Sequence, residues 1–252
     1  MGQIMNASPF SLAGRTILIT GASSGIGEAT ARLCAAMGAR IFACGRDHER
    51  LARVVAGLAG ADHQAIIGDL TDPAARQALV DAAPSLDGCV FSAGAAQLAP
   101  MRMVTQRHLD QLFAVNYDAP VLLTQALLAR RRIAANASLV YVTAVAEHVA
   151  PHATGIYSGA KAALTATVRT IAVEHAKQGI RANCVSPGYV ATPMLDGLQN
   201  VMSTGDKAAL APLGMIEPAD VAGAIAWLLA PASRWVSRTS LVIDSGLTLH
   251  VR

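Results

Sequence analysis

The chain is short of charge. Only 15% of its 252 residues are Asp, Glu, Lys or Arg, against 53% hydrophobic. The formal net charge is +3, and the 20 basic residues are scattered apart from Arg130, Arg131 and Arg132. No basic face or stripe runs along the sequence, which argues against a nucleic-acid partner. The arginine triplet reads as the solvated end of a helix. Cysteine is also scarce. Cys34, Cys44, Cys89 and Cys184 include no pair at metal-ligand spacing, so no metal site is expected. Each lies among apolar residues, which points to buried, reduced thiols and a reducing compartment. Met1 to Leu12 lack a basic segment followed by an apolar core, and Asn6 stands where a myristoylation signal needs Ser or Thr. No apolar run of membrane-spanning length stands out. These absences predict a cytoplasmic protein with neither membrane nor nucleic acid as partner. So little charge also suggests apolar surface hidden between copies in a homo-oligomer, a dimer or tetramer, although an alanine-rich composition gives the same balance.

What is present is alternation. Short apolar runs at Thr16–Thr20, Arg40–Cys44, Gln64–Ile67, Gly88–Phe91, Ser138–Thr143, Arg181–Val185 and Ser240–Ile243 read as strands. Helical patterns at Gly25–Met37, Asp47–Leu58, Pro73–Ala83, Thr105–Arg132, Gly155–Lys177 and Pro218–Ala230 fall between them. Seven strands with helical crossovers predict an α/β fold: a doubly wound parallel sheet with helices on both faces. No linker or composition break divides residues 1–252, so one domain is expected, with 1–11 as an N-terminal extension. The irregular stretch 194–213 is long enough to act as a substrate lid.

The first strand runs through Thr20 into Gly21-Ala22-Ser23-Ser24-Gly25-Ile26-Gly27, and a helix follows. Gly21 permits the sharp turn out of the strand. Gly25 and Gly27 allow close approach of backbone to a pyrophosphate and of helix to sheet. The free N–H groups of Ser23, Ser24, Gly25 and Ile26 at the helix start suit phosphate oxygens. The pattern predicts a nicotinamide dinucleotide site. The second strand ends Cys44-Gly45-Arg46, beside the adenosine ribose in such a fold. An acid there would take the 2′-hydroxyl, whereas Arg46 is suited to a 2′-phosphate, so NADP(H) is favoured over NAD(H). Asp47 reads as a helix N-cap.

Tyr157 and Lys161 stand four apart and share one face of the helix from Gly155. A free tyrosine titrates near about 10 and must fall by roughly two or three units to act as a general acid/base near neutrality. A neighbouring ammonium and a positive nicotinamide ring push it that way.

Together these residues resemble the short-chain dehydrogenase/reductase family from about Leu12 to Leu249. Thr20–Gly27 matches its T-G-x-x-x-G-x-G turn, and Tyr157-Ser158-Gly159-Ala160-Lys161 its Y-x-x-x-K. Asp69-Leu70 is similar to the pair that contacts adenine. Ser92-Ala93-Gly94 stands where the family has N-A-G. Asn183 and the segment Pro187-Gly188-Tyr189-Val190-Ala191-Thr192 match the stretch passing under the nicotinamide, and Asn116 the asparagine holding a proton-relay water against the lysine. The resemblance implies a Rossmann-type fold with sheet order 3-2-1-4-5-6-7. It implies hydride transfer between cofactor and a carbonyl or carbinol carbon, with Tyr157 handling the substrate proton. Lys161 would bind the nicotinamide ribose and lower the tyrosine pKa. A tetramer through the long Thr105 and Gly155 helices is also implied.

Three departures stand out. The family's catalytic serine is replaced by Ala144, which cannot donate a hydrogen bond. Thr143 substitutes only if the strand has ended or bulged there, and His148, beside Glu147 in the substrate loop, is another candidate donor. Ser92 replaces an asparagine that supports the central strands. Arg238 stands where the family has glycine. Two readings follow: an NADP(H)-dependent oxidoreductase with Thr143 or water in place of the serine, or a dinucleotide-binding sensor or partner subunit with little turnover. A sugar-nucleotide epimerase would need a larger C-terminal substrate domain. The substrate walls at Ala95–Val104, Val145–Gly155 and 194–213 are small and apolar (Ala96, Leu98, Met101, Val149, Met194, Leu195), which suggests a small uncharged carbonyl or alcohol.

Overall fold

The computed structural model describes residues 8–196 and 211–250. The seven strands are β1 (Thr16–Thr20), β2 (Arg40–Gly45), β3 (Gln64–Ile67), β4 (Leu86–Phe91), β5 (Ile133–Val142), β6 (Arg181–Pro187) and β7 (Ser240–Ile243). All pair in parallel in the order β3-β2-β1-β4-β5-β6-β7, as the resemblance implied. The order reverses between β1 and β4, which opens a crevice beyond the strand C-termini.

The sheet is apolar on both faces because successive side chains alternate. Ile17, Ile19, Val90, Val140 and Val185 enter one core with helices α1 (Gly25–Ala36) and α9 (Pro218–Leu229). Leu18, Cys89, Leu139, Tyr141 and Cys184 enter the other, with α3 (Pro73–Ala82), α5 (Ala119–Ala129) and α7 (Gly155–Glu174). Within it Phe91 and Tyr141 stack with centroids 4.4 Å apart, and the Tyr141 hydroxyl meets Thr124 Oγ1 at 2.8 Å. All four cysteines are buried and free.

Local chemistry sets the element ends. Asp47 accepts from the Arg50 amide at 2.9 Å and caps α2 (His48–Ala56). Asp72 caps α3, which opens with Pro73. Most strands and helices lie within two or three residues of their predicted ends. The stretch predicted as one helix from Thr105 to Arg132 is instead three helical pieces. They are α4 (Gln106–Phe113), a π-helical turn (Ala114–Asp118) and α5, ending at Ala129. This continuous run of 24 residues, 106–129, is long and apolar enough to cross a membrane by length and composition, contrary to the expectation from sequence. Its buried residues Leu112, Asn116, Ala119, Leu123 and Leu127 belong to the fold, and its charges lie at residues 107–110 and 118.

Strand β5 begins five residues earlier than predicted, at Ile133. Its register slips between Leu86 and Gly88 of β4, where Asn136 takes a left-handed φ of 62°. It ends at Val142, so Thr143 lies just past the strand. The substrate loop contains a short helix unforeseen in the sequence, α6 (Ala146–Val149). Another, α8 (Pro193–Asp196), begins the proposed lid; residues 197–210 of that lid and 1–7 of the proposed N-terminal extension lie outside the described residues. Arg238 sits at φ 66°, the left-handed region that suits the glycine it replaces.

Candidate active site

Thr20 ties the crevice together. Its hydroxyl donates to the Val90 carbonyl at 3.4 Å and accepts from the Ser92 and Ala93 amides at 3.1 and 3.2 Å. The ends of β1 and β4 are thus joined by Thr20 and backbone, and Ser92 lends only its amide. Gly21 then turns at φ 68°, and a Cβ on it would lie 2.8 Å from Ala93 backbone atoms. A Cβ on Gly27 would run into the Gly21 carbonyl oxygen. Ser24 precedes α1 without a side-chain capping bond, and the first intrahelical bond comes from Glu28. The amides of Gly25, Ile26 and Gly27 therefore have no intrahelical acceptor, and Gly25 and Ile26 line the crevice, an arrangement that fits a pyrophosphate.

The crevice is a cavity of about 740 Å³. It is lined by Gly21, Ser23, Ser24, Gly25 and Ile26 at one side; by Arg46, Asp69 and Leu70 past β2 and β3; and by Ser92, Ala93, Gly94 and Asn116 at the centre. Thr143, Ala144, Tyr157, Lys161, Pro187, Gly188, Val190, Thr192 and Met194 complete the other side. Gly27 and His148, expected at the site, do not line it, and neither do Asn183 and the wall residues Met101 and Val149. Gly27 packs beneath the turn. His148 turns away, 42% exposed, with Nε2 3.1 Å from the Glu147 carboxylate, because α6 points it outward.

At the adenosine end Arg46 reaches Asp69 at 3.6 Å and is 72% exposed, so it is free to reorient toward another anion. Burial pushes the Asp69 carboxyl up, but the Thr71 amide and hydroxyl, with Arg46, outweigh it and hold the group below the usual carboxylate range. Arg50 also lines this end. Its signal was its place one turn into α2, behind the Asp47 cap.

At the opposite end Lys161, 4% exposed, donates from Nζ to the Val142 carbonyl at 3.0 Å, with Nζ 5.8 Å from the Tyr157 ring centre. Asn116 sits in the π turn, a local widening common at functional positions. Its Nδ2 donates to Ala95 O at 2.9 Å and Leu112 O at 3.0 Å, and its Oδ1 accepts from the Ala95 amide at 3.3 Å. A Cβ built on Gly94 would lie 3.0 Å from Asn116 Oδ1 and 3.6 Å from Lys161 Nζ, so the two side chains converge across that glycine.

The protein's own groups do not lower the tyrosine pKa as expected. Burial pushes Tyr157 up to about 12, aided by the Glu147 carboxylate. Burial also draws Lys161 down to about 8, against the opposing pull of Glu147 and Cys184. Desolvation overrides the simple view that a lysine one turn away must acidify the tyrosine.

The position of the missing serine is occupied by the Ala144 methyl, 8% exposed. Thr143 has left the strand, as a substitute must, but its hydroxyl donates to Val185 O at 3.2 Å, alongside its own amide at 2.8 Å. His152 and Thr154, not singled out from the sequence, also line this end, with Tyr189 of the segment expected under the nicotinamide. Thr154 is committed to Pro151 O and Ser158. Asn183 lies outside the cavity and braces β6 through Val236 O and the Thr239 amide.

Residues 21–248 match a family model described as enoyl-(acyl carrier protein) reductase. The chain is 35% identical over 243 residues to a cis-4-hydroxycyclohexanecarboxylate dehydrogenase of Sinomonas cyclohexanicum, covering 93% of this chain and 96% of that one. It is 31% identical over 255 residues to a D-threitol dehydrogenase of Mycolicibacterium smegmatis, covering 95% of each. Among solved structures, a putative NAD(P)-dependent gluconate 5-dehydrogenase of Beutenbergia cavernae with NADP bound at low occupancy superposes with TM-score 0.87 at 29% identity, over 96% of this chain and 100% of that one. A putative 2-deoxy-D-gluconate 3-dehydrogenase of Agrobacterium tumefaciens, also with bound NADP, gives 0.85 at 28% identity, over 97% and 100%. With the glycine turn, the tyrosine–lysine helix and the sheet order all in place, the chain belongs to the short-chain dehydrogenase/reductase family and is an oxidoreductase of that type.

Proposed function

We propose that the protein interconverts a carbonyl and a secondary alcohol with NADP(H), using Tyr157 as general acid/base. The observation that carries this is the convergence of Tyr157, Lys161 and Asn116 at one end of a cavity whose other end is the glycine turn. When bound, the nicotinamide supplies or accepts the hydride. The amides of Gly25 and Ile26 hold the pyrophosphate. Asp69 and Leu70 flank the adenine. Arg46, assisted by Arg50, takes the 2′-phosphate; the NADP bound in the two similar dehydrogenases supports that choice over NAD. Pro187, Gly188, Val190 and Thr192 line the nicotinamide side.

Tyr157 holds its proton at Oη and gives it to the substrate oxygen on reduction. Lys161 spends one proton on Val142 O and keeps two for the ribose and a relay water, which Asn116 helps to fix. A water beside Ala144, or Thr143 once it releases Val185 O, makes the donation that serine makes elsewhere. Met194 and Ala144 form part of an apolar wall suited to a small uncharged carbonyl or alcohol. The ring alcohol named for the Sinomonas relative is one such shape. We place the enzyme in the cytoplasm as a homo-oligomer, dimer or tetramer, joined through α4–α5 and α7, where Leu122 and Val173 are exposed. The sensor reading draws only on Ala144 and the commitment of the Thr143 hydroxyl.

The test is direct. NADPH should bind more tightly than NADH by fluorescence, and a carbonyl panel should show turnover that disappears in Tyr157→Phe. Tight NADPH binding with no turnover across a broad panel would replace the enzyme with the sensor.

A further inference from the structure

A carboxylate is buried behind the catalytic pair, and nothing in the proposed chemistry uses it. The Glu147 side chain is 2% exposed. It accepts from Thr165 Oγ1 at 2.5 Å and Ser240 Oγ at 3.4 Å, and meets His148 Nε2 at 3.1 Å. These contacts draw on three elements: α6 through His148, α7 through Thr165 and β7 through Ser240. Thr165 lies one turn after Lys161 on the same helix. An unpaired buried carboxylate is costly, so a site that keeps one with two hydroxyl donors and an imidazole against it is a built feature.

We propose that Glu147 is a positioning residue, whose carboxylate locks α6 to the helix turn following Lys161 and holds Lys161 as the ammonium ion and Tyr157 as the neutral phenol. This deepens the oxidoreductase reading and rests on it. The groups facing the carboxylate are His148 on α6, Tyr157 and Lys161 on α7, and Cys184 on β6; Arg169 on α7 acts on Cys184, and β7 contributes the uncharged Ser240. Among them the sign is consistent. The anion raises Tyr157, raises Lys161 against burial and raises Cys184. A protonated tyrosine beside a charged lysine is the state that donates a proton, so the device favours carbonyl reduction.

The test is the pH dependence of NADPH affinity, which needs no turnover, followed by the pH profile of reduction. In the wild type, affinity should fall as pH rises through about 8, where Lys161 loses its charge, and Lys161→Met should abolish that fall. Glu147→Gln keeps the shape and removes the charge. It should bind NADPH within about twofold of wild type at pH 6 but about three- to tenfold more weakly near pH 8, because the alkaline limb moves down by up to one unit. The alkaline limb of reduction should move the same way, and Glu147→Asp, which restores the charge, should recover most of the shift. An unmoved profile in a folded Glu147→Gln overturns the proposal. If that variant does not fold, His148→Lys, at an exposed position, sets a permanent cation on the same carboxylate. It must also move the limb down, and an unmoved limb is equally fatal. A wild-type affinity with no pH dependence, or one unchanged by Lys161→Met, instead overturns the role given to Lys161 in the oxidoreductase reading.

Discussion

Arg46 and Ala144 are the two side chains that distinguish this site from a generic one. Arg46 is exposed and holds only a 3.6 Å pair with Asp69, and exposed pairs of that kind contribute little. A 2′-phosphate is a stronger partner. Replacing Arg46 with Ala should cost NADPH about 10- to 100-fold in affinity, the value of one charge-assisted hydrogen bond, while NADH binding stays within about twofold. Fluorescence titration with both cofactors checks this; an equal loss for both would remove the NADP assignment. At Ala144, restoring serine should raise kcat/KM by about tenfold or more, since one well-placed donor to a developing oxyanion is worth at least that. Thr143→Ala then separates the candidates. An unchanged rate assigns the donation to water, and the lost bond to Val185 O should show as about 1 kcal/mol of stability. Both positions were legible in the sequence because a strand end and the short spacing from Ala144 to Tyr157 are local facts. Where the Thr143 and His148 side chains point was not legible. Those directions depend on where β5 stops and how α6 turns, which neighbouring chain decides.

The glycine turn and the loop before β7 show how elements tolerate particular backbones. Gly27 has no room for a Cβ against the Gly21 carbonyl. Gly27→Ala should therefore push α1 away from β1, costing about 1–3 kcal/mol and roughly 2–10 °C in Tm. NADPH binding should weaken in parallel, because the amides that meet the phosphates ride on the same turn. Arg238 presents the opposite case. It holds φ 66° where glycine would be relaxed, so Arg238→Gly should gain about 0.5–1 kcal/mol after glycine's own entropy cost, or about 2 °C in Tm by calorimetry. The helix from Thr105 was legible as a helix from its periodicity, but the π turn at Asn116 was not. A one-residue widening leaves the apolar pattern intact, and it is held by Asn116 bonding to Ala95 and Leu112.

Across the whole molecule, burial of ionisable groups sets the response to alkali. Cys34, Cys44 and Cys184 are pushed up to about 12 from 9.0, and Cys89 further, all chiefly by burial. A folded pKa raised above the unfolded one gives stability that is complete below pH 9 and lost as pH climbs toward the folded value. Tyr157 and Tyr141 act the same way from pH 10 upward. Lys161 opposes them between about 8 and 10.5, where the unfolded chain binds the extra proton. Arg181, drawn down to about 10 chiefly by burial, opposes them above that pH, and Tyr189 adds to the raised groups; two bases face seven groups of the other sign, so Tm should fall progressively above pH 9. Cys34→Ala should reduce the slope, and a Tm flat to pH 11 would contradict the burial of the thiols. The sequence alone determined the strand order through its family motifs, the dinucleotide turn, and the tyrosine–lysine pair, because each is written in contiguous residues whose spacing matches the helix or strand period. Tertiary structure decided what those residues experience. Dehydration of Tyr157 and Lys161, the outward turn of His148 and the burial of Glu147 against Thr165 and Ser240 all come from chain segments up to 93 residues apart. Electrostatic environment is fixed by which neighbours exclude water, and no local spacing records that.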